Sequence, residues 1–221
     1  MSQKQLLVFG SGQIAELALY YFNNDSEYTV SAFTVDRAYI DDEEFCGLPV
    51  IPFEEIQDQY PPTEYEMFIA LSYAEINQIR KDKYLTAKLK GYKLASYISS
   101  KATILNEYDI GENCFILENN TIQPFTSIGN NVTLWSGNHI GHHSIISDHV
   151  FIASHVVISG GVKVGAQSFL GVNATLRDNI SIGEGSIIGA GALINGDVES
   201  HQVVKGNPSN TIFSSEKMKK I

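Results

Sequence analysis

The sequence predicts two domains of different class. A small α/β, Rossmann-like unit at the amino terminus precedes an all-β unit, a left-handed parallel β-helix of hexapeptide repeats. Three observations carry this reading. An aliphatic residue recurs at every sixth position over the carboxy-terminal half, a strand runs into a glycine turn and a helix near residue 10, and the alternation of strand and helix stops near residue 95.

The amino-terminal elements follow in order. Gln5–Phe9 (QLLVF) is a short apolar run with the character of a buried strand, followed by Gly10-Ser11-Gly12 and the helical stretch IAELALYYF. Tyr28–Val35 (YTVSAFTV) is rich in β-branched and aromatic residues and ends at Asp36, so it reads as a second strand. Residues 37–64 are acidic and punctuated by Gly47, Pro49, Pro52, Pro61 and Pro62, and read as loop. Glu66–Leu71 is a third strand and Ala74–Lys90 a polar helix. Strands separated by helices of this length imply βαβ units and a parallel sheet over residues 1–95.

From Ile98 to Ile194 each sixth residue is Ile, Leu or Val, through 17 hexads without an insertion. Glycine often follows this anchor (Gly111, Gly129, Gly141, Gly165, Gly171, Gly183, Gly189), and a mostly small residue stands four positions past it, as at Ala102, Thr126, Ser144 and Ala174. One hexad supplies a short strand and a corner, so three hexads close a triangular coil and residues 18 apart stack at about 4.8 Å, one strand spacing. Ordinary β-sandwiches need period-two alternation and irregular turns, which this frame excludes. Residues 96–199 form the predicted prism. Its open ends need covers, expected from the Rossmann-like unit at one end and from a cap over residues 200–221 at the other.

Composition limits the function. The formal charge is −10, with no run of Lys or Arg. Nucleic acid and anionic membrane are therefore not expected partners. The two cysteines, Cys46 and Cys114, are too few for a disulfide framework or a cysteine zinc site. They suit a reducing, cytoplasmic compartment. The opening MSQKQLLVFGSG reads as a first strand rather than a signal peptide, and no apolar run approaches the roughly 20 residues of a membrane span.

Five of the six histidines fall between 139 and 155: His139, His142, His143, His149 and His155. Stacking arithmetic puts His142 beneath Gly160, His143 beneath Gly161, and His155 between Gly137 and Asn173. A histidine beside a backbone N–H one coil away offers a general base next to an oxyanion donor. The bland alternative is an outward histidine at a surface or subunit contact. Zinc held between subunits, as in trimeric β-helices of the carbonic-anhydrase type, would want a histidine about two coils upstream, and residues 98–138 have none; no metal is expected. Gly10-x-Gly12-x-x-Ala15, following a strand and opening a helix, suits a phosphate at a helix N-terminus, with Asp36 placed to reach a ribose hydroxyl or a base edge. The unit is small for a dinucleotide, so one nucleotide moiety is expected.

These two halves, in this order, resemble the bacterial sugar acyltransferases that include sialic-acid O-acetyltransferases and the bacillosamine-pathway and GDP-perosamine N-acetyltransferases. The resemblance covers the whole chain and rests on VFGSGQIAE, the FTVD strand end, SGNHIGHHSIISDHVFIASHVVISGGVKVG and VVKGNPS. It implies a homotrimer that transfers acetyl from acetyl-CoA to the 4-amino group of a nucleotide-linked 4-amino-4,6-dideoxy sugar, in surface-polysaccharide (lipopolysaccharide O-antigen) biosynthesis. The acetyl-CoA would lie along the β-helix between subunits. His142 would be the catalytic base and Gly160 the amide facing the thioester. Gly10, Ser11, Gly12, Asp36, Ser72 and Tyr73 would hold the nucleotide, with Asn138 and His139 as further substrate contacts. His155, Gly161, Lys205, Asn207 and Pro208 would meet CoA, with Gly206 and Ser209 in the same turn. An O-acetyltransferase acting on a free sugar and a non-catalytic trimeric module are the alternatives. One departure stands out: the family's acid after the catalytic histidine is His143 here. Asp148 could supply it, His142 could act without one, or a neighbouring histidine could be the base.

Overall fold

In a computed structural model of the chain, residues 4–105 and 108–206 are described. The amino-terminal unit contains β1 (Lys4–Phe9), α1 (Gln13–Asn24), β2 (Tyr28–Val35), β3 (Glu44–Phe45), β4 (Leu48–Pro52), α2 (Ile56–Gln59), β5 (Tyr65–Ile69) and α3 (Gln78–Leu89). Its sheet runs β3-β4-β2-β1-β5, parallel except for the β3–β4 hairpin. Because β1 has β2 on one side and β5 on the other, the order in which the parallel strands are added reverses at it. The crevice at its carboxyl end is where α/β sheets of this kind take ligands.

Two expectations need correction here. Residues 37–64 are not a loop throughout: they hold a 3-10 turn (Arg37–Tyr39), β3, β4 and α2. Pro49 and Pro52 lie inside β4, whose neighbours Val50 and Phe53 donate to Glu43 and Val35, so the ladder does without the proline donors. The helix expected from Ala74 begins at Gln78, because Glu75, Ile76 and Asn77 adopt left-handed φ angles of 51°, 52° and 66°.

The β-helix has three parallel faces. The first runs from Tyr97–Ile98 through Phe115, Thr133, Phe151, Phe169 and Ile187 to Val203–Val204. The second contains His139–Ile140 between Thr121–Ile122 and Val157–Ile158. The third contains Ile145–Ile146 between Ser127–Ile128 and Lys163–Val164. Every pairing along the first face steps by 18 residues from Phe115 to Ile187, the predicted coil. All anchors from Ile116 to Ile194 are at most 5% exposed. Burial of each aliphatic side chain is worth about 1.5–3 kcal/mol. The glycines after the anchors answer to the same stacking: a Cβ on Gly141 would lie 2.5 Å from the Ser159 carbonyl carbon.

The expected end cover is also corrected. The α/β unit lies along the side of the prism, and Ile98 and Ile104 in the first coil remain 39% and 36% exposed. Tyr97, Phe115 and Leu117, which point outward from the first face, join the core formed by Phe22, Phe68 and Val8. The polar fastening is Arg80 of α3. Its guanidinium is buried and donates to the carbonyls of His149 and Val150, to Asn131, to Thr133 Oγ1 and to Asn77 Oδ1. Burial draws its pKa down to about 10. Asn77 in turn donates to the Gln167 and Ser168 carbonyls at 3.0 and 3.2 Å, which gives the left-handed turn before α3 its anchor.

Candidate functional site

At the crevice, Gly10 adopts φ +130°, and a Cβ there would meet the Ala70 carbonyl oxygen at 2.9 Å and Ala15 Cβ at 3.4 Å. The first glycine and the small third residue of the motif thus answer to packing. Gly12 does not: a Cβ on it would meet nothing within 4 Å, so the space in front of the α1 N-terminus is open. Such a terminus presents backbone N–H groups and the positive end of the helix dipole, which suits a phosphate. Gly10, Ser11, Gly12 and Ser72 line one cavity of about 330 Å³ with Gln13, Ile14, Ala70 and Leu71. Tyr73 lines an adjoining trough of about 300 Å³ with Ile14, Ser72, Trp135, Phe151, Phe169 and Val172. Its ring packs on Phe151 and Phe169 at centroid distances of 5.1 and 4.7 Å.

Asp36 lies at the carboxyl end of β2, as expected, but lines neither cavity. Its Oδ1 accepts from Lys83 Nζ at 2.6 Å, and that ammonium also sits over the Phe9 and Phe53 rings. A larger cavity of about 390 Å³, between Tyr21, Asp25, Tyr97 and Glu118, lies apart from both the glycine loop and the histidines. Its carboxylates already accept from Tyr97, Ser100, Tyr21 and Ser136.

On the β-helix, His143, His149 and His155 have φ of 59°, 64° and 59°. They share their corner position with Asn113, Asn131, Asn173, Gly137 and Gly161, all in the left-handed region. Asn and His are enriched there and glycine enters freely. Three of the five clustered histidines thus meet a backbone requirement of the corner. His149 is 7% exposed, pairs through Nδ1 with Asn131 Nδ2 at 2.9 Å and packs edge-on to Tyr84. Burial lowers its pKa to about 4, so it is neutral and structural near pH 7.

Two stackings from the 18-residue ruler are observed. A Cβ on Gly160 would lie 2.5 Å from His142 Cε1 and 2.7 Å from Nε2, and one on Gly137 would lie 2.5 Å from His155 Nδ1. The third holds in backbone register, with the Gly161 N–H donating to the His142 carbonyl at 2.8 Å, but brings no ring against the glycine: a Cβ on Gly161 (φ +71°) would meet Asn179 Oδ1, and the His143 ring packs on Phe125 at 4.7 Å. His142 is exposed, its backbone N–H donates to Gln123 Oε1 at 2.9 Å, and its Nδ1 lies 3.0 Å from His143 Nδ1. At the equivalent corner position, the N–H groups of Glu112, Asn130 and His142 are bonded to side chains of neighbouring coils. That of Gly160, like those of Ser154, Ala166 and Val172, has no acceptor among the described residues. A base and a free donor therefore stand together. Their pairing fits a reaction in which a proton leaves a nucleophile while negative charge grows on a carbonyl oxygen.

The remaining candidates scatter. His139 is half-buried on the second face, between Thr121 and Val157. His155 is at the corner between the first and second faces, whereas His142 is at the corner between the second and third. Asn138 is a correction: it is 1% exposed inside the prism, donating to the Trp135 carbonyl and accepting from Val156 N–H at 2.7 Å. No atom of its side chain is left for a ligand on the surface. Asp148 is not the missing acid either, since its Oδ1 accepts from the Asn130 N–H at 2.7 Å on a different corner. Lys205 is exposed, and Asn207, Pro208 and Ser209 lie outside the described residues. Among the described residues, no three His, Cys, Asp or Glu side chains converge as metal ligands, and no helix is long and apolar enough to cross a membrane. The sequence reading missed the aromatic wall of Trp135, Phe151 and Phe169, although aromatics recurring 18 apart at an outward position of the frame were its signal.

Residues 107–142, 125–160 and 161–196 match the family described as bacterial transferase hexapeptide (six repeats). The fold matches the acetyltransferase domain of PglB from Neisseria gonorrhoeae FA1090 with a TM-score of 0.80 at 22% identity, covering 95% of this chain and 100% of that one. It matches PerB from Caulobacter crescentus, solved with CoA and GDP-perosamine, with a TM-score of 0.81 at 22% identity over 92% of this chain and 95% of that one. WeeI from Acinetobacter baumannii AYE gives 0.79 at 21% identity, over 93% and 98%. Comparison of the sequence with curated proteins finds no match.

Proposed function

We propose, for a hexapeptide-repeat chain with the fold of the PglB and PerB acetyltransferases, that it transfers acetyl from acetyl-CoA to the 4-amino group of a nucleotide-linked 4-amino-4,6-dideoxy sugar. The observation that carries the reading is His142 Nε2 set against Gly160, whose N–H is unclaimed among the described residues. The amine nitrogen attacks the thioester carbonyl while His142 Nε2 accepts its proton, and the Gly160 N–H donates to the oxyanion. Collapse expels the CoA thiolate, which takes the proton from the imidazolium. The open space at Gly12 and the α1 N-terminus would take the diphosphate. The neighbouring trough, walled by Trp135, Phe151 and Phe169, suits a sugar with fewer hydroxyls than an ordinary hexose.

The glycine-loop cavity lies against the first face, while His142 stands at the far corner of the second. A chain therefore does not present its own nucleotide cavity to its own base. A site completed by a neighbouring copy supports the homotrimer, with CoA running between subunits. PerB's structure with CoA and GDP-perosamine supports both substrate classes. His142→Ala and His142→Asn should each lower kcat by about 100-fold or more, the usual scale of general-base removal, with KM for acetyl-CoA little changed. Activity within a few-fold of the parent would overturn the assignment. Thermal stabilisation by UDP, dTDP or GDP, each with CoA, identifies the nucleotide.

A further inference from the structure

The His142 and His143 rings meet through their Nδ1 atoms, 3.0 Å apart, in edge-to-face orientation. Two imidazole nitrogens at that distance share one proton, so one must donate and the other accept. We infer that His143 is a positioning residue that fixes His142 as its Nδ1–H tautomer by accepting that proton, in the place where a carboxylate would otherwise serve. The inference rests on the proposed base role of His142. With His142 donating, its Nε2 is left unprotonated beside Gly160, and the Nε2 of His143 carries the other ring's proton.

The surroundings hold this arrangement. The corner backbone fixes His143 at φ +59°, and Phe125 packs on its ring. Gln123 takes the His142 backbone N–H. Among the described residues, no carboxylate bonds to either ring. Among the described residues, Arg177 and Asp178 stand two coils further along the same corner, the latter engaged by Asn179 at 3.0 Å. Lys163 lies on the adjoining third face. A neutral acceptor orients the base as a carboxylate does but stabilises imidazolium less.

The left-handed corner decides the variants. His143→Gly removes the acceptor without backbone strain, since Gly137 and Gly161 occupy equivalent corners. His143→Asn restores an acceptor, and His143→Asp restores one with charge; both residues tolerate this conformation. In His143→Gly, kcat should fall by about 10-fold or more while KM for acetyl-CoA stays within about two-fold. In His143→Asn, kcat should recover to within about three-fold of the parent. In His143→Asp the acid limb of the kcat profile should move up by about one pH unit. Nitrogen-15 spectra of the ring, which need no turnover, should give His142 protonated on Nδ1 in the parent and on Nε2 in His143→Gly. An unchanged tautomer in the Gly variant, or equal kcat for the Gly and Asn variants, overturns the inference. Loss of activity in His142→Ala with none in His143→Gly sinks this inference alone, whereas full activity in His142→Ala sinks the base reading itself.

Discussion

A single methyl group at position 160 tests the heart of the site. In Gly160→Ala, the new Cβ would stand 2.5 Å from His142 Cε1, 2.7 Å from Nε2 and 3.0 Å from Nδ1. Carbon atoms in contact settle at about 3.5–4.0 Å, so the ring must retreat by about 1 Å. His142 is exposed, which lets it move, and Gly160 is not in the left-handed region, so alanine brings no backbone strain. Stability should change by less than about 1 kcal/mol, as for surface substitutions generally. The backbone N–H survives. A base misplaced by about 1 Å costs on the order of 10²-fold in rate. Release of CoA thiol at saturating acetyl-CoA measures kcat, and a thermal melt checks the fold. The loss should act through the ring, so the double variant Gly160→Ala/His142→Ala should be no slower than His142→Ala alone. A folded Gly160→Ala protein with parental kcat would refute the stacked-base geometry. Additive losses in the double variant would show instead that the methyl obstructs CoA.

Two further predictions concern stability. Arg80→Ala leaves the His149 and Asn131 carbonyls buried without their donor. It should lower unfolding stability by about 3 kcal/mol, read from urea titration; a change under about 1 kcal/mol would mean the guanidinium fastens nothing. For His149, the folded value near 4 lies below the ordinary 6.5, so the unfolded chain takes up its proton first as pH falls. Stability should therefore be intact above about pH 6.5 and decline toward pH 4, by at most about 3 kcal/mol from this group. His149→Asn, which suits the corner as Asn131 does, should flatten that decline. An equal decline in both proteins would assign the pH dependence elsewhere.

Much of the β-helix and part of the site were legible in the sequence because the repeat is local and unbroken. A six-residue frame sets which side chains point inward, and an 18-residue coil sets what stacks on what. That was enough to put His142 against Gly160 and His155 against Gly137. The frame also contained the answer for Asn138, which stands four past Leu134, at the inward position, and so turns away from any ligand. It contained the left-handed corner as well, which His143, His149 and His155 share with asparagines and glycines. In the α/β unit, the glycine motif marked the turn between β1 and α1, but prolines inside β4 disguised a strand, since proline signals a break unless the ladder draws its donors elsewhere.

Tertiary structure alone decided the rest. Lateral docking of the α/β unit depends on Arg80 finding backbone carbonyls of distant coils, and no sequence pattern announces those partners. The link between His142 and His143 depends on ring orientations at an exposed corner, set by Phe125 and by the φ of His143. Asp36 met Lys83 only because α3 packs beside the end of β2. Periodicity determines register along a chain; it does not determine which surfaces meet, because that is settled by side chains from separate elements competing for the same burial and the same hydrogen bonds.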